Sequence, residues 1–140
     1  MGRKRRRLLA ALTKSHGLER RVVFTGYVDD SLAPAIYRQS RLHVYPSRYE
    51  GFGLPVLEAI ACGSPTITST GSSLDEVSGD AAIAVPCGDV DTLQSAMDRL
   101  FFDDAERSKL RARAIARAHE FTWRRCAEAT LAFWRRSLEA

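Results

Sequence analysis

The sequence predicts an α/β protein with a Rossmann-like, three-layer arrangement, in which helices cover both faces of a parallel sheet. Short runs of apolar and β-branched residues alternate along the chain with longer segments of helical periodicity. These short runs are mostly apolar rather than alternating, which is typical of parallel strands that are buried on both faces. The length of 140 residues allows one domain with a substantial core.

The first half of the chain is predicted to alternate two helices with two strands. Residues 3–16 carry leucines at helical spacing, and the run RVVFTGY that follows them is predicted to be a strand. A second helix, capped by Asp30 or Ser31, leads to a second predicted strand with the sequence RLHVYP.

The second half is predicted to add two strands and four helices. Proline at position 55 fits the first turn of a helix, and a glycine marks its end. The predicted elements are a helix from about Leu54 to Gly63, the strand PTITS, the loop GSSLDEVSG, the strand AAIAVP, a helix from Asp89 or Asp91 to about Phe102, and the helices 105–119 and 123–138, the last capped by Thr122.

Positive charge is concentrated at the N-terminus. The formal net charge is +4, and residues 3–7 (RKRRR) carry more positive charge than that, so the rest of the chain is close to neutral. This run is either a solvated helix face or a contact for phosphate or an anionic membrane surface. Arginines also accompany aromatic residues in the last helices, but no nucleic-acid partner is predicted, because such a function ignores the middle of the chain.

The cysteines and histidines predict neither a metal site nor a cofactor. Three cysteines form an odd set without ligand spacing, which favours a reducing, cytoplasmic location, at most peripheral at a membrane. No apolar run reaches the roughly 18–20 residues of a membrane span. The histidines are far apart, and His43 on its strand is interpreted as a hydrogen-bonded or surface residue.

The segment YPSRYEGFGLPVLEAIACGSP contains the candidate site. Its glycine-rich part follows a predicted strand and opens a helix, and ligands of open α/β sheets bind at the carboxyl ends of the strands. Gly51 and Gly53 allow the backbone to approach a ligand, and free amides at the helix start favour an anion such as a diphosphate. The amides expected to face this anion are those of Leu54, Val56 and Leu57.

Two glutamates flank the glycines, Glu50 on the loop and Glu58 in the helix. A carboxylate accepts charge-assisted hydrogen bonds from sugar hydroxyls, so a nucleotide sugar, with its diphosphate between two polyols, suits both features. Alternatively, Glu58 is an acidic first-turn residue favoured by the helix dipole, and Glu50 is a solvent-facing loop residue. Ser72 and Ser73 follow the carboxyl end of a predicted strand, on the ligand side of the sheet, or they belong to a simple turn and cap a helix.

The stretch PSRYEGFGLPVLEAIACGSPTITS closely resembles the signature of family 4 glycosyltransferases, also called glycosyl transferases group 1. The segments RVVFTGYVDD, SSLDEVSGDAAIAV and RARAIARAHEFTW are similar to successive segments of that family. The resemblance implies the GT-B architecture of two facing Rossmann-like domains. It also implies a retaining, metal-independent transfer of a sugar from a nucleotide-diphospho-sugar donor to an acceptor.

The resemblance further implies roles for individual residues. Glu50 is expected at the hydroxyls and reacting centre of the donor sugar, and Glu58 at the ribose hydroxyls. The backbone between them is expected to contact sugar and phosphates, and the loop after the first strand the nucleobase. The residues implied in these binding contacts are Gly51, Phe52, Gly53, Leu54 and Val28.

Against the family pattern, residues 1–140 correspond to a single, incomplete donor-binding domain, the C-terminal part of such an enzyme. The N-terminal acceptor domain and the first two strands of the donor domain are absent from it. The chain is therefore expected to hold part of a donor site and to be inactive as an isolated fragment. Expected partners are the nucleotide-sugar donor, an unidentified glycan, lipid or small-molecule acceptor, and the missing domain or a partner chain. The alternative is a noncatalytic nucleotide-sugar-binding module or subunit that needs a partner chain.

Overall fold

The computed structural model describes residues 3–138, which form two compact units, residues 3–33 and 34–138. The first unit consists of one helix and irregular backbone, and the second holds the sheet. The helices and strands are α1 (Arg3–Ser15), α2 (Ala33–Gln39), β1 (His43–Tyr45), α3 (Leu54–Ala61), β2 (Thr66–Ser69), α4 (Ser73–Ser78), β3 (Ala82–Val85), α5 (Val90–Phe102), α6 (Asp104–Ala118) and α7 (Trp123–Leu138).

Most helix starts are set by side chains that accept hydrogen bonds from the first turn. Asp89 accepts from the Thr92 amide at 2.9 Å at the start of α5, which confirms one of its two predicted caps. Thr122 accepts from the Arg125 amide at 3.1 Å and caps α7 as predicted. These bonds satisfy amides that have no partner within the helix.

The predicted cap of α2 was wrong. Asp29, rather than Asp30 or Ser31, holds the turn before the helix, since its Oδ1 accepts from the Ser31 amide at 2.9 Å. The Asp29 carbonyl also accepts from the amides of Leu32 and Ala33. Asp29 therefore supplies both acceptors of the turn.

The predicted strand RVVFTGY does not form. Residues 22–26 adopt irregular backbone, and the Val23 side chain is 81% exposed. A β-prone run becomes a strand only when a neighbouring strand completes its backbone hydrogen bonds. Among the described residues no strand pairs with this run. The prediction failed because β-propensity cannot supply the partner.

Three parallel strands form the sheet in the order β1-β2-β3. Val44, Ile67 and Ile83 stand in register across it and share one face. There they pack with Leu100 of α5 in the main apolar cluster. Tyr45 points to the opposite face and packs with apolar side chains of α3 and α4. Helices therefore cover both faces, and the predicted three-layer α/β class with a parallel sheet is confirmed.

Helix α7 packs none of its side chains into a core. Trp123, Phe133 and Trp134 are 86%, 60% and 59% exposed. Among the described helices, none combines the length and apolar character that a membrane crossing requires.

Candidate functional site

The segment of residues 46–53 connects the carboxyl end of β1 to α3, and we call its last residues together with the first residue of α3 (residues 50–54) the glycine loop. Gly53 is the residue before α3 and has a φ of 99°, in the left-handed region that favours glycine. A Cβ at this position would lie 2.5 Å from Cδ2 of Leu74, which is fully buried. The backbone conformation and the packing of Leu74 therefore both require glycine at position 53. A Cβ on Gly51, in contrast, would meet nothing within 4 Å. A role of either glycine in ligand approach stays a prediction.

The free amides at the start of α3 differ from those expected. The amides of Val56 and Leu57 donate to the Gly53 carbonyl at 2.9 and 3.1 Å, so their predicted orientation toward an anion was wrong. The carbonyl of the residue before a helix accepts the first intrahelical bonds, which explains this capture. Within residues 3–138, no acceptor meets the amides of Phe52, Gly53 or Leu54. These three consecutive amides therefore have no described acceptor; Phe52 and Leu54 are exposed residues, whereas Gly53 is buried.

Glu50 is half-buried and is held by two hydroxyl groups. Tyr45 Oη and Ser47 Oγ each donate to Glu50 Oε1 at 2.8 Å. The bond from Ser47, and then that from Tyr45, holds the pKa of Glu50 below its ordinary value. Glu50 is thus a partly exposed loop residue, as the alternative interpretation held, and its carboxylate is fixed in place by the two hydroxyl groups. Its carboxyl group stays ionised at neutral pH and accepts rather than donates hydrogen bonds.

The backbone of the loop is fixed from its inner side. Ser73 Oγ, at the start of α4, donates to the Glu50 carbonyl at 2.8 Å. Ser69, at the end of β2, donates to the carbonyl of Ser47. Ser72 caps α4 by accepting from the Leu74 amide at 3.3 Å, so the segment predicted as a loop is helical. One of the two serines therefore caps a helix, as the alternative held, and the other anchors the glycine loop.

Glu58 is exposed and is the fifth residue of α3. It lies beyond the first turn, so the interpretation as a first-turn residue placed for the helix dipole was wrong. Tyr37 Oη donates to Glu58 Oε2 at 3.4 Å. Burial, and then the negative charge of Glu58, raise the pKa of Tyr37. Tyr37 therefore remains a neutral donor to this carboxylate.

An aromatic row links the two glutamates. The rings of Tyr37 and His43 meet edge to face with centroids 5.4 Å apart, and those of His43 and Tyr45 stack with centroids 6.1 Å apart. The outer rings donate hydrogen bonds to Glu58 and Glu50, respectively. Both predicted carboxylates are thus brought to the two ends of one row of three rings.

His43, at the centre of this row, is partly buried, and its Nδ1 does not fit the interpretation as a hydrogen-bonded residue. Its Nδ1 is buried and meets no hydrogen-bond partner among the described residues. Burial lowers the pKa of His43, because a charged imidazole loses its hydration there. His43 is therefore a neutral packing element between the two tyrosines.

The sequence contained part of the signal for these supporting residues. Tyr45 and Ser47 are two positions apart at a strand end, the spacing that places side chains on one face. Tyr37 lies 21 positions before Glu58, and nothing local connects the two residues.

Val28 belongs to the unit of residues 3–33, and its predicted contact with a nucleobase stays a prediction. Within the described chain, no group of three or more His, Cys, Asp and Glu side chains could hold a metal ion.

The chain is similar in sequence to one family of known proteins. The model of the family described as glycosyl transferases group 1 matches residues 1–120. The O-antigen chain mannosyltransferase B of Escherichia coli is 43% identical over 108 residues, which cover 77% of this chain and 28% of the relative.

Solved structures extend this similarity to the fold. Sucrose-phosphate synthase from Thermosynechococcus elongatus superposes with a TM-score of 0.86 at 29% identity, over 97% of this chain and 35% of that one. The C-terminal domain of a glycosyl transferase group 1 family protein from Francisella tularensis superposes with a TM-score of 0.74 at 25% identity, over 84% of this chain and 62% of that one. The chain spans about a third or less of the mannosyltransferase and of the synthase.

Proposed function

The chain belongs to the glycosyl transferases group 1 family, and from this premise we propose that it provides donor-binding residues of a retaining, metal-independent glycosyltransferase of family 4. Its fold is that of the C-terminal domain of such proteins. The single observation that carries the proposal is the glycine loop, in which three consecutive amides have no described acceptor, with the Glu50 carboxylate at its start and the Glu58 carboxylate in the helix that follows.

We assign the diphosphate of the donor to the amides of Phe52, Gly53 and Leu54. These groups lie at the N-terminal end of an α-helix, where the helix dipole favours negative charge. Departure of a nucleoside diphosphate builds up negative charge on the leaving oxygen. Donors that are already oriented toward this charge lower the barrier, and no metal ion is needed for that contribution. Gly51 leaves space for the donor beside the loop.

We assign Glu50 to the hydroxyls and the reacting centre of the donor sugar. Because two hydroxyl donors keep its carboxyl group ionised, it suits acceptance from sugar hydroxyls and stabilisation of an oxocarbenium-like transition state. It does not suit the role of a general acid, which needs a raised pKa.

Glu58 is assigned to the ribose hydroxyls of the nucleotide. Its carboxylate is exposed, and Tyr37 is the one described hydrogen-bond donor to it, so accepting positions remain for two vicinal hydroxyls. The backbone of Val28 is proposed to lie by the nucleobase. These assignments leave the choice of nucleobase open.

A nucleoside-diphosphate mannose is the donor that we propose to test first, because the relative from Escherichia coli is named a mannosyltransferase. Transfer to an acceptor requires parts that correspond to the rest of the relatives, and we propose that an N-terminal domain or a partner chain supplies them. The acceptor is then a glycan, a lipid or a small molecule. Residues 1–140 by themselves are expected to bind donor without turnover. A cytoplasmic location, with membrane-surface contact through residues 3–7, completes the proposal.

Calorimetric titration of the chain with a panel of nucleoside diphosphates tests donor binding. We expect at least one to bind, and Glu58→Gln to weaken it by about tenfold, since hydrogen bonds to a charged acceptor contribute about 1.5–3 kcal/mol. Glu76→Gln is the matched control, because Glu76 is an exposed glutamate of α4 outside the glycine loop. Equal affinities of the two variants, or no binding by the wild type, contradict the assignment.

A noncatalytic binding module gives a different outcome from a divided enzyme. Both bind the nucleoside diphosphate, but only the divided enzyme gains sugar transfer when a chain that supplies the remaining domain is added. Transfer that appears on mixing and is lost in Glu50→Gln supports the enzyme. Binding that never leads to transfer supports the module.

A further inference from the structure

Arg117, in the last turn of α6, joins α6 to the end of α4. Its Nε donates to the Val77 carbonyl at 3.2 Å, and its Nη2 donates to the carbonyl of Glu76. These are carbonyls of the last turn of α4, where helices lack internal donors and favour a positive charge. Arg117 therefore fixes the C-terminal end of α4.

The same guanidinium group leads to the glycine loop through two aromatic rings. Its central carbon lies 4.8 Å from the centroid of the Phe121 ring, in cation–π geometry. Phe121 in turn meets Phe52 edge to face, with centroids 6.0 Å apart. Phe52 is 43% exposed and belongs to the glycine loop. We call this arrangement the Arg117–Phe121–Phe52 stack.

The opposite end of α4 contacts the same loop. Ser73 donates to the Glu50 carbonyl, and Leu74 fills the space beside Gly53. Helix α4 has only six residues, so a displacement of its C-terminal end also displaces Ser73 and Leu74. Arg117 thus acts on the loop by two routes, through the rings to Phe52 and through α4 to the backbone of Glu50.

We propose that Arg117 and Phe121 are positioning residues for the glycine loop and hold it in the conformation that presents its free amides. Neither residue is proposed to contact the donor or to take part in the reaction. This inference deepens the proposed function and rests on it for the meaning of the loop. The stack itself is tested without any ligand.

Amide hydrogen exchange of the ligand-free chain reads the state of the loop. The amides of Val56 and Leu57 are bonded to the Gly53 carbonyl, so their exchange reports opening at the start of α3. We expect Arg117→Met and Phe121→Leu to speed this exchange by about tenfold, since each removes an aromatic or cation–π contact. Amides in the middle of α5 should keep their wild-type rates.

Three further variants serve as two controls and one independent disruption of the stack. Phe121→Tyr keeps the ring and should retain wild-type exchange. Arg113→Met is the matched control, because Arg113 lies one turn earlier on α6 and only pairs with Asp80 at the surface, at 3.6 Å. Phe52→Leu breaks the stack from its exposed side without disturbing the core, and should repeat the effect of Phe121→Leu even where that variant folds poorly.

The outcomes separate this proposal from the proposed function. Wild-type exchange at Val56 and Leu57 in both Arg117→Met and Phe52→Leu overturns the stack, whether or not any nucleotide binds. Equal acceleration in α5 also overturns it, because that indicates global destabilisation. If the wild type binds a nucleoside diphosphate, Arg117→Met should weaken binding about tenfold while Arg113→Met does not. Unchanged affinity with a loosened loop overturns the positioning role, and absence of wild-type binding counts against the proposed function alone.

Discussion

Substitution of Gly53 by alanine is the most specific perturbation that the structure offers. At a φ of 99°, an alanine adopts left-handed backbone, which costs about 1–2 kcal/mol. Its methyl group also meets Cδ2 of the fully buried Leu74 at 2.5 Å, and such overpacking costs about 1–3 kcal/mol. We therefore expect Gly53→Ala to lower the free energy of unfolding by about 2–5 kcal/mol.

Urea denaturation followed by circular dichroism measures this loss, and Gly51→Ala is the matched control. A Cβ on Gly51 meets no atom within 4 Å, so this variant should keep its stability or gain up to about 1 kcal/mol from reduced chain entropy. A ligand-approach role alone predicts that both variants are equally stable and differ only in binding.

A double-mutant cycle with Leu74→Ala isolates the steric part. Removing the Leu74 side chain costs stability by itself, about 2–5 kcal/mol, but frees space for the new methyl group. Gly53→Ala should then cost only the backbone part, about 1–2 kcal/mol, in the Leu74→Ala background. Strict additivity of the two substitutions, or a Gly53→Ala chain as stable as Gly51→Ala, would refute this reasoning.

Three further predictions concern ionisation and packing. Tyr45→Phe removes one hydrogen bond to Glu50 and should raise the pKa of Glu50 toward its ordinary value of 4.5, measured by carboxyl carbon NMR; an unchanged pKa contradicts the bond. Burial lowers the pKa of His43, so its contribution to stability is present above its ordinary pKa of 6.5 and is lost as the pH falls through the lowered value. His43→Phe should therefore reduce the loss of stability below pH 6.5 in urea unfolding, and an unaltered pH slope counts against it. Trp134→Gln should change the unfolding free energy by at most about 0.5 kcal/mol, whereas Leu100→Ala at the core should cost about 2–5 kcal/mol; a large effect at Trp134 shows that α7 is packed.

The strands of the sheet could be predicted because burial on both faces leaves a local signal. The runs that became β1, β2 and β3 are short and place an apolar β-branched residue at the position that faces the main cluster (Val44, Ile67 and Ile83), and each finds a parallel neighbour. The run RVVFTGY carries the same signal but pairs with no described strand. Composition reports what a strand prefers to bury, whereas its hydrogen-bonding partner is a property of the assembled sheet.

The candidate site could be located from the sequence, but its detailed geometry could not. Gly53 and Pro55 marked the start of α3, and one glutamate lies within about one helical turn of sequence on either side of that start. The capture of the Val56 amide by the Gly53 carbonyl follows from capping geometry and was predictable in principle. The contact of Tyr37 with Glu58 joins residues 21 positions apart, and no local pattern encodes it.

The central claim is that a nucleotide-sugar donor binds at the glycine loop. Titration of the isotope-labelled chain with the nucleoside diphosphate of highest affinity, followed by amide NMR shifts, tests it most directly. We predict the largest and saturable shifts at the amides of Phe52, Gly53 and Leu54, with smaller ones at Glu50 and Glu58. Saturable shifts confined to α5, α6 or α7, with the amides of residues 52–54 unmoved, would contradict the claim.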